Sequence, residues 1–130
     1  MTLVDACALV ALIGMIAYAI FGGADFGAGI WDLFARGPRR NERRQTITEA
    51  IGPVWEANHV WLIFVVVVFF TAFPRAWAAY CTALGTPLRL ALLGIALRGV
   101  GFVFRTYASP GGRLERRWGY AFGIASLVTP

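Results

Sequence analysis

The sequence has no lysine, a single histidine (His59) and two cysteines (Cys7 and Cys81). One imidazole supplies no ligand spacing for a metal. Neither cysteine has a CxxC or Cys/His neighbour, so nothing argues for a disulfide framework or a zinc site, and both thiols read as small buried apolar groups. Charge is scarce as well, at 15% of 130 residues, too little for a soluble domain of this length. Before Asp25 the only charge is Asp5. A cleavable signal needs a basic n-region, so the first apolar block is expected to stay in the mature protein.

What is present is apolar sequence, 58% of the chain, gathered into long blocks. About 20 apolar residues at 1.5 Å each span a bilayer. The expected fold is all-α, a polytopic membrane helix bundle forming the N-terminal part of one transmembrane domain. Three full helices are expected at about 3–34, 54–73 and 76–107, with an incomplete fourth at 118–130. The polar segment 36–52 reads as a connection ending in an amphipathic turn, with Pro53 in the first turn of the second helix. The third block is long for one span, which implies tilt or an extension beyond the membrane.

All twelve basic residues are arginines, and the net charge is +5. A basic chain can signal nucleic acid, but that needs a basic face on a soluble fold. Here the arginines fill the gaps between apolar blocks, which argues for membrane topology and against nucleic acid. Five lie at 36–44 and four at 105–117, against Arg75 alone in the intervening turn and none before residue 35. By the positive-inside rule both rich segments are cytoplasmic and the N-terminus is outside. Asp25 and Glu56 then lie at cytoplasmic helix ends. Trp31, Trp55, Trp61, Trp77 and Trp118 near block ends suit an aromatic belt.

A carboxylate in a span is costly and tolerated where it is paired, wetted or used. Glu56 and His59 are three apart and share a helix face, with Asn58 beside it. They could pass a proton inward, or they could hold helices together by hydrogen bonds. His59 could ligate haem or a metal, but it has no second ligand in view. Asp25, within GGADFGAG, is either a proton-path member or a polar helix contact; the glycines are too irregular for a phosphate loop. Asp32 is expected at the water interface as a solvated charge. Arg98 either snorkels to the inner interface or takes an anionic partner: Asp25, Glu56, a second subunit or lipid phosphate.

Three motifs carry a family resemblance: GGADFGAGIWDL at the end of the first helix, ERRQTITEAIGPVWEANHVWL leading into the second, and LRGVGFVFR late in the third, with Trp118 and GIASLVTP after it. The chain resembles subunit II of the cytochrome bd family of terminal quinol oxidases, in order along its whole length. Family members have about eight helices, so the resemblance covers their N-terminal third. It implies a bacterial inner-membrane respiratory complex that oxidises quinol and reduces oxygen to water. It also implies that haem b, with or without haem d, and the quinol site belong to a partner, subunit I, with a small single-helix subunit as a further candidate. This chain would bind no haem or metal, would not be catalytic alone, and would line a cytoplasmic proton route.

Carried over by position, Glu56 matches the carboxylate of the family's W-[DE]-x-N motif, assigned to that route, and Asp25 matches the acid of the first motif; the resemblance implies that both belong to the proton route. Trp55, Asn58, His59, Trp61 and Arg98 would be supporting polar or interface residues. Two positions depart from the pattern: Gly99 stands where proline is usual, and Gly22 where many members have a second aspartate. Two rival readings stay open: a fragment of a secondary transporter, in which intramembrane Asp, Glu and Arg form substrate or ion sites, and a purely structural membrane subunit.

Overall fold

The computed structural model describes residues 2–109 and 112–130. It is all-α, with five helices: α1 (Leu3–Phe34), α2 (Arg40–Ala72), α3 (Pro74–Ala83), α4 (Gly85–Tyr107) and α5 (Arg113–Val128). Of these, α1, α2 and α4 are long and apolar enough to cross a membrane. Thr2 and Asp5 start α1 with a reciprocal cap: the Thr2 backbone N–H donates to the Asp5 carboxylate at 2.7 Å, and the Asp5 N–H donates to Thr2 Oγ1 at 3.2 Å. At the other end Gly37 takes φ 96°, a conformation glycine adopts without penalty, and the chain turns back into α2.

Three boundaries differ from the sequence expectation. The second helix begins at Arg40, not at residue 54, so Pro53 lies inside it. Proline there forfeits the hydrogen bond to the Glu49 carbonyl. The polar segment is nonetheless helical because tertiary contacts hold it: the residues α2 buries are Arg44, Ile51 and Asn58, one stripe with a period of seven that runs through the proline. The third block is broken at Leu84 into α3 and α4. Pro87, in the first turn of α4, has no N–H to offer the Ala83 carbonyl. The last helix starts at Arg113 rather than 118 and ends at Val128.

Aromatic rings set the corner between α2 and α3. Phe69 meets Trp77 edge-on at 5.8 Å and Tyr80 at 6.1 Å, and Pro74 occupies the first helical position after the corner at Phe73. The chain then returns, so α4 runs parallel to α1. Helix α1 packs against α2 and α5, and α5 packs against α4, which places α5 between α1 and α4. Buried positions follow three-and-four spacing: Gly22, Asp25, Gly29 and Asp32 on α1, and Arg98, Gly101 and Arg105 on α4. That spacing is the seam of near-parallel helix packing.

The outer faces are lipid-like. Leu9, Leu12, Ile13 and Ile16 on α1, Ile63, Val67 and Phe70 on α2, and Leu92, Leu93 and Leu97 on α4 are all exposed. Lipid is as apolar as leucine, so burying such side chains against one another gains little, and close approach and polar contacts must hold the bundle. Glycines permit that approach. A Cβ at Gly29 would collide with the Ser126 side chain, and one at Gly123 would lie 2.9 Å from Leu33 Cβ.

Gly29→Val is therefore expected to force α1 from α5 and lower stability by about 1–3 kcal/mol. Gly23→Ala, where a Cβ would meet nothing within 4 Å, should leave stability unchanged or slightly raised. Thermal unfolding in detergent compares the two; equal melting temperatures would mean that the α1–α5 contact is not tight.

Candidate functional site: two buried ion-pair layers

The polar residues of the spans gather in two layers. In the first, Asp25 is fully buried and Arg98 is 2% exposed. Arg98 Nη1 donates to Asp25 Oδ2 at 2.6 Å and Nη2 to Oδ1 at 2.7 Å, a bidentate pair, and Nη2 also donates to the Asp25 carbonyl at 2.8 Å. Arg98 Nε donates to Ser126 Oγ at 2.8 Å on α5. Phe26 and Phe122 lie 4.8 and 4.6 Å from the guanidinium carbon, close enough for cation–π attraction. Arg98 does not snorkel; of the partners open to it, it takes Asp25. Asn58 Nδ2 adds a third donor to the carboxylate at 3.1 Å, which ties in α2.

The second layer lies two turns further along α1 and α4. Asp32 is 1% exposed. Arg44 donates to it through Nε at 3.1 Å and Nη2 at 2.9 Å, and Arg105 through Nη1 at 2.7 Å and Nη2 at 2.9 Å. Both carboxylate oxygens accept twice, so one aspartate holds two arginines and the layer carries a formal charge of +1. Arg105 also donates to the Arg44 carbonyl at 3.2 Å, fastening the start of α2 to α4. Room for Arg44 comes from Gly119, where a Cβ would lie 2.5 Å from Arg44 Nη2. The expectation that Asp32 is a solvated charge is corrected. A bare aspartate at this depth would be costly, and the two arginines remove that cost.

The remaining candidates divide between two faces of α2. Asn58 is buried against α1. Trp55 stacks between His59 (5.9 Å) and Phe102 of α4 (5.7 Å), and with Asn58 and His59 it lines the small cavity beside Asp25 and Arg98. Glu56 is exposed, two residues from Asn58 and so on another side of the helix, without a hydrogen bond or ion pair among the described residues. Trp61 is half-buried, edge-on to Phe64 at 5.7 Å. The chain thus assembles Asp25, Asn58, Arg98, Trp55 and His59, and leaves Glu56 apart.

The sequence reading missed Arg44 and Arg105, and it misplaced Asp32. A signal was present. Asp25 and Asp32 are seven apart, as are Arg98 and Arg105, on helices that the arginine count makes parallel. Both pairs consequently join residues 73 positions apart.

Span-length helices pinned by ion pairs buried within the bundle define a multi-pass membrane protein. The sequence profile described as cytochrome bd terminal oxidase subunit II matches residues 3–130, and the chain belongs to that family. It is 32% identical over 120 residues to cytochrome bd ubiquinol oxidase subunit 2 of Bacillus subtilis (strain 168), covering 88% of this chain and 33% of that protein. It is 30% identical over 116 residues to cytochrome bd-I ubiquinol oxidase subunit 2 of Escherichia coli (strain K12), covering 89% of this chain and 30% of that one. The chain thus spans about a third of the length of these curated relatives. No solved structure matches it.

Removing one member of a buried ion pair typically costs about 3–5 kcal/mol, whereas replacing both by apolar residues can be neutral or stabilising. Arg98→Leu should therefore destabilise strongly, and Asp25→Leu with Arg98→Leu should recover most of the loss. A thermal-unfolding double-mutant cycle reads this directly; additive losses would show that the pair is energetically uncoupled.

Proposed function

We propose that the chain acts as subunit II of a membrane quinol oxidase, supporting a haem-bearing subunit I and lining a route for protons from the cytoplasm. The family match carries the oxidase reading. The ion-pair layers support the scaffolding role, because they fix helix register without relying on hydrophobic force that lipid does not supply.

For the proton route the proposal rests on the contrast between two carboxylates. Asp25 accepts three hydrogen bonds from Arg98 and Asn58. Those donors hold Asp25 in place beside the route, with one lone-pair direction of its carboxylate left open. Glu56 is exposed and unpaired among the described residues, which supports it as the proton-carrying member of the route. The face that bears Glu56 would meet subunit I or a later part of the same subunit.

The residues of this chain do not fit a haem or metal site of their own. Among the described residues no three His, Cys, Asp or Glu side chains gather as ligands, and His59 is exposed with its ring stacked on Trp55. In this reading haem chemistry and the quinol site belong to subunit I, with a small single-helix subunit as a further partner and lipid around the bundle. The arginine-rich segments at 36–44 and 105–117 support a topology with the N-terminus outside the bacterial inner membrane.

Gentle purification of the full-length subunit from its own membranes should bring down a larger subunit with a haem difference spectrum. Recovery of a haem-free chain alone would sink the oxidase reading. In that complex, Glu56→Gln should reduce oxygen-dependent turnover and proton uptake severalfold with the haem spectrum intact. Full turnover would leave Glu56 a structural contact.

A further inference from the structure

Asn58 is 6% exposed, and its amide has one polar atom provided for and one not. Nδ2 donates to Asp25 Oδ2, while Oδ1 is buried and accepts no hydrogen bond among the described residues. The amide cannot be reversed to cure this, because reversal would set Oδ1 against the Asp25 carboxylate, acceptor to acceptor. Buried amide oxygens are almost always satisfied, so this one calls for a donor.

Two features say what that donor is. Asn58 lines a cavity with Tyr18, Asp25, Phe26, Trp55, His59, Leu62, Ile95 and Arg98. About 10 Å³ of it is open to the centre of a water molecule, which is room on the scale of one water. Gly22 also brings no side chain against the amide: a Cβ there would lie 3.4 Å from Asn58 Oδ1. Polar partners for further bonds stand in the same wall. The Asp25 carboxylate has lone-pair capacity left after three bonds, and Tyr18 carries a hydroxyl that can donate or accept.

We propose that this cavity is a binding site for a single ordered water, which donates to Asn58 Oδ1 and completes the Asp25–Arg98–Asn58 layer. Asn58 is the positioning residue: one end of its amide holds the carboxylate and the other holds the water. A cation is a poorer occupant, since Arg98 already neutralises Asp25 at 2.6 Å. The site stands independently of any proton-carrying role for Glu56.

The test is a cryo-EM map of the complete oxidase containing this chain, at a resolution that shows ordered water. The expected result is a peak about 2.7–3.2 Å from Asn58 Oδ1. It should disappear in Asn58→Leu. It should also disappear in Gly22→Ser, where the new hydroxyl can donate to Oδ1 in its place. A well-resolved Asn58 with no peak overturns the proposal, and so does a peak that survives Asn58→Leu. If Asn58→Leu does not assemble, the wild-type and Gly22→Ser maps decide. Turnover of Glu56→Gln is read separately, so failure of the proton role and failure of the water site are distinguishable.

Discussion

A guanidinium buried among lipid-facing helices must have its charge and its N–H groups answered inside the protein, and the Asp25–Arg98 pair is where that demand fixes this structure. Arg98 uses Nε, Nη1 and Nη2, with an aromatic ring near each side. No sliding of α4 along α1 keeps that set, so the pair sets the register of two helices far apart in sequence. Its other contacts recruit the rest: Ser126 draws in α5, and Asn58, through the shared carboxylate, draws in α2. The second layer repeats the constraint seven residues on, and that repetition turns a single pin into an alignment. One pair would leave α1 and α4 free to pivot. Two pairs along the same seam do not.

The layers also explain why a proline-containing, arginine-rich segment is helical. By local preference residues 36–52 read as a connection, and Pro53 as a start signal. Arg44 must reach Asp32, Ile51 packs one stripe-turn further on, and Asn58 must reach Asp25. These three positions lie on one face only if the helix is continuous through Pro53. Tertiary demand thus overrides a local signal whose cost is confined to one backbone hydrogen bond.

That override marks the limit of what was legible. Long apolar blocks announced the membrane helices, and the resemblance of GGADFGAGIWDL and VWEANHVWL located the polar positions. The matched spacing of Asp25 with Asp32 and of Arg98 with Arg105 was equally visible, but it gains meaning only when two helices are known to be parallel and close enough for an arginine side chain to bridge them. Such proximity is a long-range property that hydropathy does not encode. Asp32 was misjudged for the same reason: counted from the apolar run it falls at the water interface, and only the arrival of Arg44 and Arg105 from elsewhere buries it. The break at Leu84 is a local event at Pro87 that the length and hydropathy of the block do not carry.

The three acids Asp25, Asp32 and Glu56 show how one side-chain chemistry is divided by its surroundings. Asp32 answers two arginines and keeps no lone-pair direction free of a donor from them, so its part is structural. Asp25 answers one arginine and one amide and retains capacity for another donor. Glu56 answers nothing among the described residues. Residues held as tightly as Asp32 can be exchanged only by rebuilding the fold around them, whereas a group like Glu56 depends for its environment on whatever covers the outer face of α2. The fold thus carries two kinds of carboxylate, one that fixes the helices and one that takes no part in fixing them. Both are provided on helices α1 and α2, and Asn58, reaching Asp25 from the helix that carries Glu56, ties the position of the free carboxylate to the fixed one.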